Sequence, residues 1–154
     1  MSDFIIKTYK PLSEKFAISI PEIEGGWTIC PNNNENLLAL DSFGGDFSII
    51  MQATPKEICR SDVNFAKFFE QKMNYYNPRA GEGTVIELRI DNKAVLNHIT
   101  KVYEMENQGY PIKGKYTIFE TEKAFYTCMI AGPAGLYNEY IGIYEKLYDY
   151  FEEL

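Results

Sequence analysis

From Thr84 to Ala131 the chain runs through one alternating apolar–polar stretch after another, and a segment of helical period stands on either side. A period of two places successive side chains on opposite faces of a sheet. Short turns between such stretches make neighbouring strands antiparallel, because parallel pairing needs a long crossover. Thr84 to Ile90 sets Ile86, Leu88 and Ile90 against Val85, Glu87 and Arg89, and Asp91-Asn92-Lys93 then turns the chain. A long strand is expected from Val95 to Met105, with a bulge where its alternation blurs. Residues 107–113, with Gly109 and Pro111, read as a hairpin loop. Tyr116 to Thr121 and Phe125 to Ala131 are two further strands, joined at Glu122-Lys123.

Three strands are expected ahead of this block: Phe16 to Ile20, Leu37 to Phe43, and Phe47 to Gln52. Between the last two, Gly44-Gly45-Asp46 suits a tight turn, since glycine tolerates the positive φ that hairpins require. Trp27 follows a Gly25-Gly26 turn. Ser61 and Asp62 are placed to start a helix near 62–76, whose stripe is Phe65, Ala66, Phe69, Met73 and Tyr76. Asn77-Pro78 is the expected stop. A closing helix near 135–152 has apolar residues on two adjacent faces, one carrying Tyr140, Ile143 and Leu147, the other Tyr137, Tyr144 and Tyr148. The sequence therefore predicts an α+β fold: a mainly antiparallel sheet of six or seven strands sandwiched by helices, in the order β-β-β-α-β-β-β-β-α. The length of 154 residues suits a single domain over 1–154.

Composition narrows the function. The net charge of −7 disfavours nucleic acid and anionic membrane surfaces, which need a cationic surplus. Cys30, Cys59 and Cys128 are odd in number and widely spaced, so neither a disulfide framework nor a zinc motif is expected. Free thiols and an acidic, weakly apolar start point to the cytoplasm. No stretch approaches the roughly 20 apolar residues of a membrane span. With 12 Tyr and 10 Phe, the chain is rich in rings that suit half-exposed contacts.

Several stretches resemble the PsbP-like family over roughly residues 14–153. They are Phe16-Ala-Ile-Ser-Ile-Pro21 followed by Trp27, the Asp91-Asn-Lys-Ala94 loop before the long strand, Glu122-Lys-Ala-Phe-Tyr126, and the small-residue break Ala131-Gly-Pro133 leading to Tyr140–Phe151. That family includes PsbP, the Ran-binding Mog proteins and bacterial DcrB-like proteins. The resemblance implies a helix-covered sheet and a protein that binds without catalysing. A branch without an export signal acts as chaperone-adaptor for type VI secretion effectors. This chain departs from the pattern by Asn-rich residues after Trp27 and a longer 107–113 loop, and no catalytic residue is carried over.

The residues themselves offer little chemistry. His98 is the only histidine, and Cys59 precedes the first helix, whose dipole would lower its pKa. No catalytic, cofactor-binding or metal residue is expected, and no cofactor. The acidic pairs Glu104/Glu106 and Glu120/Glu122 read as wet strand ends. Phe68 and Tyr75, seven apart and off the inward stripe, are expected to form an exposed contact patch. Tyr110 at its hairpin tip, with Tyr137 and Tyr148 on the closing helix, completes the candidate partner-binding set. The expected role is a non-enzymatic adaptor or chaperone, a homodimer, binding an apolar or amphipathic client helix. The alternatives are a small apolar ligand or lipid carrier, with Met51, Met73, Met105 and Met129 lining its pocket, and a domain whose active site assembles only in space.

Overall fold

The computed structural model describes residues 5–42 and 44–154. Met1–Phe4, part of the start read above for an export signal, and Phe43, the expected end of a strand, lie outside them. Among the described residues the strands are β1 (Ile6–Tyr9), β2 (Phe16–Pro21), β3 (Trp27–Ile29), β4 (Leu37–Ser42), β5 (Ser48–Pro55), β6 (Thr84–Ile86), β7 (Asn97–Asn107), β8 (Tyr110–Glu120), β9 (Ala124–Pro133) and β10 (Glu152–Glu153). Two helices, α1 (Phe65–Ala80) and α2 (Ala134–Tyr144), complete the fold, and one 3-10 turn, Glu145–Tyr148, prolongs α2.

Seven strands form one antiparallel sheet in the order β3-β4-β5-β9-β8-β7-β6, and β1-β2-β10 form a second, smaller one. The predicted α+β class therefore holds, with a small sheet added. Between the sheets lies the main core. β2 turns in Phe16, Ile18 and Ile20; β9 contributes Tyr126, Cys128 and Ile130; α2 and its 3-10 turn drive in Tyr144, Leu147 and Tyr148. A smaller core of Phe68, Met73, Ile118 and Phe125 lies under α1 on the opposite sheet face.

Several boundaries differ from expectation for identifiable reasons. α1 is capped by Asn64, whose Oδ1 accepts the Lys67 N–H at 2.9 Å, not by Ser61. It continues through Pro78 and stops at Gly81, where φ is +83° and the Gly81 N–H reaches the Asn77 carbonyl. Proline removes one internal donor, but here it falls in the last turn, where little helix remains to disrupt. β7 pairs with β8 in unbroken register from Asn97 to Asn107, so no bulge forms. The expected 107–113 loop is a two-residue turn, Gln108-Gly109, with φ of +52° and +83° at its centre. Only Thr84–Ile86 of the expected 84–90 strand pairs with β7. Beyond it Leu88 and Ile90 pack onto the main core. The closing helix is shorter than expected, because Asn92 Nδ2 donates to the Tyr148 and Phe151 carbonyls, each at 2.9 Å, and the chain then turns into β10.

The Phe68 assignment is corrected. Phe68 is 3% exposed and stacks on Phe125 with centroids 4.7 Å apart. The buried arc of α1 runs from Phe68 round to Met73, and Ala66 turns to water. Burying a phenyl ring removes far more apolar surface than burying a methyl group. Phe68→Ala is expected to cost about 3 kcal/mol in urea unfolding. Tyr75→Ala, at a ring 63% exposed, is expected to stay within about 0.5 kcal/mol.

Buried tyrosines set an alkaline limit. Desolvation, reinforced by a neighbouring group, pushes Tyr103 and Tyr137 each up to about 12 from an ordinary value near 10. An acid held neutral by folding stabilises the fold fully below its unfolded pKa. That contribution is lost as pH rises through the folded value. Chemical-denaturation midpoints are therefore expected to fall between pH 10 and 12.

Candidate protein-binding face

Register places rows of side chains straight across the large sheet. Ala39, Ile50, Met129 and Tyr116 share one row, and Leu37, Gln52, Thr127 and Ile118 the next. All point to the α1 side. α1 covers the end of these rows nearest β7 and β8: Tyr76 packs edge-on against Tyr103 and Tyr116, and its hydroxyl lies 3.9 Å from Met129 Sδ. Beyond Met129, neither helix lies over the β4–β5 half. Ile50 is 40% exposed there, and β5 reads buried and accessible in strict alternation.

The rim of this open half is polar and acidic. Asp41 Oδ1 accepts the Ser48 hydroxyl at 2.6 Å, and Cys30 Sγ lies 3.1 Å from Asp41 Oδ2. This carboxylate raises the Cys30 thiol pKa, chiefly through that hydrogen bond. At one end, a cleft of about 670 Å³ opens between Ser48–Ile50, the tip of the β7–β8 hairpin with Tyr110, and the start of α2. Tyr110 is 73% exposed. The sequence carried a signal for this face: no Lys or Arg occurs between Lys15 and Lys56, whereas Glu35, Asp41 and Asp46 do.

Of the proposed contact residues, Tyr75 on α1 and Tyr110 at the hairpin tip are at the surface. Tyr137 and Tyr148 are corrected along with Phe68: they are 3% and 0% exposed. α2 packs on β8 and β9 of the large sheet and beside β2, which turns both rings inward, while Ile143 and Tyr150 border an open groove. The four methionines do not share a pocket either. Met51 belongs to the main core, Met73 to the smaller one, Met105 to the hairpin arm and Met129 to the border of the open face.

A cleft of about 700 Å³ between α2 and the β6–β8 end is lined by Lys113, Lys115, Tyr137 and Glu104. Lys115, 6% exposed, donates to Glu145, and Lys113 Nζ sits 5.3 Å from the Tyr137 ring centre. His98 is exposed on β7 beside a groove shared with Glu87 and Arg89. Cys59 Sγ points to the Pro55 carbonyl at 3.5 Å. α1 begins well beyond it at Phe65, too far for the dipole to act. Glu120 accepts from Lys56 at 2.6 Å and Asn97 at 2.8 Å, so it is a bridging group and not a wet strand end. Among the described residues, no His, Cys, Asp and Glu side chains gather as a metal site, and no helix is long and apolar enough to cross a membrane.

Neither a protein-family model nor a curated protein matches the sequence. Solved structures do match in shape. A Bacteroides thetaiotaomicron protein superposes with a TM-score of 0.62 at 10% identity, over 96% of this chain and 48% of its own. This chain thus spans about half the length of that neighbour. The Ran-binding protein Mog1p of Saccharomyces cerevisiae gives 0.58 at 10% identity, over 98% and 96% of the two chains. Cyanobacterial PsbP from Synechocystis gives 0.52 at 9% identity, over 100% and 95%. The chain has the PsbP-like fold.

The Lys115–Glu145 pair makes a direct test of what that cleft contributes to stability. Removing one member strands a poorly solvated charge, whereas replacing both with apolar groups does not. Lys115→Met is expected to cost about 2 kcal/mol. Adding Glu145→Leu is expected to recover most of that in the same unfolding assay.

Proposed function

We propose that this chain is a non-enzymatic protein-binding domain, an adaptor or chaperone that receives an apolar client segment with basic flanks on the open half of its large sheet. One observation carries the reading: the β4–β5 half of the sheet is left bare by α1, with Ile50, Ala39 and Leu37 at its centre and Asp41 on its rim. An apolar centre inside a polar rim is the usual anatomy of an interface, and the Asp41 carboxylate on that rim favours a partner with a cation opposite it. Mog1p, named for binding Ran, gives a precedent for protein binding on this fold. The PsbP-like resemblance supports a cytoplasmic chaperone-adaptor serving a secreted or membrane-bound client.

A carrier is the second reading. It is supported by an apolar groove of about 480 Å³ between the small sheet and α2, lined by Ile6, Ile20, Ile143, Leu147 and Tyr150. Native mass spectrometry of the purified protein separates the two, since a carrier is expected to retain a co-purifying small molecule.

Ile50→Lys places a cation in the centre of the open face at a position already in contact with water. It is expected to leave the thermal midpoint nearly unchanged and to reduce capture of native partners from lysate at least tenfold. A wild-type capture profile for this variant removes the open face as the binding site.

A further inference from the structure

The β7–β8 hairpin runs on past β6, and its outer strand has a bare edge there. β6 pairs with β7 only over Thr100–Val102, while β8 stays paired with β7 as far as Asn107. Among the described residues, Gly83 lies against the Tyr103 ring, and no strand lies along the outer side of Glu104–Asn107. Across a two-residue turn the closing pair, Asn107 and Tyr110, is hydrogen-bonded, and hydrogen-bonded pairs recur at every second residue. Met105 therefore faces β8 with its backbone, and Glu104 and Glu106 turn their N–H and C=O groups outward. They are in phase with Val102, whose backbone faces Thr84 of β6.

The arm is also two-faced. Glu104 and Glu106 project from one side and are exposed. Glu104 is met across the hairpin by Lys113 at 3.7 Å, whereas Glu106 stands opposite Pro111, which brings no cation. The other side carries Met105, 36% exposed, and Tyr110.

We propose that this edge accepts an extended segment of another protein as an added strand, with Lys or Arg facing Glu104 and Glu106 and an apolar residue facing Met105. The inference rests on the protein-binding reading and gives the partner a second contact, separate from the open face. Outward backbone groups at strand spacing call for a strand, since a helix has satisfied its own. A second copy of this chain is the poorer occupant. Two-fold pairing about Met105 sets Glu104 of each copy opposite Glu106 of the other, and like charges directly opposite destabilise a strand pair.

The test uses the full chain, labelled with nitrogen-15, and a synthetic peptide, acetyl-Thr-Lys-Val-Lys-Val-Lys-Thr-amide. Two control peptides accompany it: one with Glu in place of each Lys, and one methylated on the lysine backbone nitrogens. The expected result is shifted resonances and slowed amide exchange at Glu104 and Glu106, with no binding of either control. The variant E104K/E106K is expected to lose about tenfold in affinity for the basic peptide and to gain binding of the acidic one. The N-methylated control needs no variant, so the test does not depend on that variant folding. Equal binding of the basic and acidic peptides, insensitivity to N-methylation, or no binding at all overturns the edge site. Shifts centred on Ile50 and Met129 also overturn it, while leaving the open face standing. A wild-type capture profile for Ile50→Lys removes the open face instead, so the two failures are distinguishable.

Discussion

One aromatic seam holds the two sheets together. Phe119 stacks on Tyr126 with centroids 4.8 Å apart and planes 10° from parallel, Phe151 stands edge-on to both, and Phe16 closes the cluster from the small sheet. These rings come from β2, β8, β9 and the segment after α2. None of those elements can bury its apolar face without the others. The chain's end is pulled back into the seam as a result: Glu153 accepts hydrogen bonds from Tyr126 at 2.6 Å and Thr121 at 2.5 Å. Tyrosine suits this boundary because its ring packs inward while its hydroxyl finds a partner at the rim. Burial, reinforced by the hydrogen bond to Glu153, drives the Tyr126 pKa well up, so the hydroxyl remains a donor.

The seam determines what the other face can be. With α2, the 3-10 turn and β2 committed to one side, α1 alone is left to cover the opposite side. A helix is about 10 Å across, while seven strands spaced about 4.8 Å apart span roughly 29 Å. One helix covers two or three of them. α1 sits over β7, β8 and β9, where Phe125 and Ile118 meet Phe68. The bare β4–β5 half follows from that count of layers, and its composition has adapted. Leu37, Ala39 and Ile50 on the bare side face strands whose buried side holds Leu38, Leu40, Ile49 and Met51.

The order of elements was legible in the sequence because the strand period and the turn residues agree over most of the chain. Other features were not. The rotation of α1 hung on whether Phe68 or Ala66 faces inward, and both lie at the edges of one arc; only the position of Phe125 on the sheet decides it. Tyr137 and Tyr148 looked surplus because an apolar arc on two faces signals either an interface or burial between layers. The small sheet that supplies the second layer is built by β1 and β10, which are short and carry no clear alternation. Pro111 suggested a loop where the chain is paired, since proline is rarely accepted in a strand. It is tolerated here because β9 pairs with β8 only from Ile112 onward, so no neighbour asks for an N–H from that side. Tyr110 was found correctly as a surface ring, but the free edge beside it depends on where β6 stops, and the alternation of Thr84–Ile90 overstated that strand.

Bare sheet faces and bare edges are hazards, since both invite other copies of the same chain. This protein manages the hazard with charge rather than with cover. Asp41 borders the open face, Glu104 and Glu106 flank the free edge, and the whole chain carries −7. Each placement penalises self-association and leaves the apolar centre untouched. A partner bearing the opposite charge meets no such penalty, and its approach is accelerated over roughly 8 Å at physiological salt. On the proposed reading, the carboxylates that set like charges opposite one another between copies are the same ones that meet a basic partner.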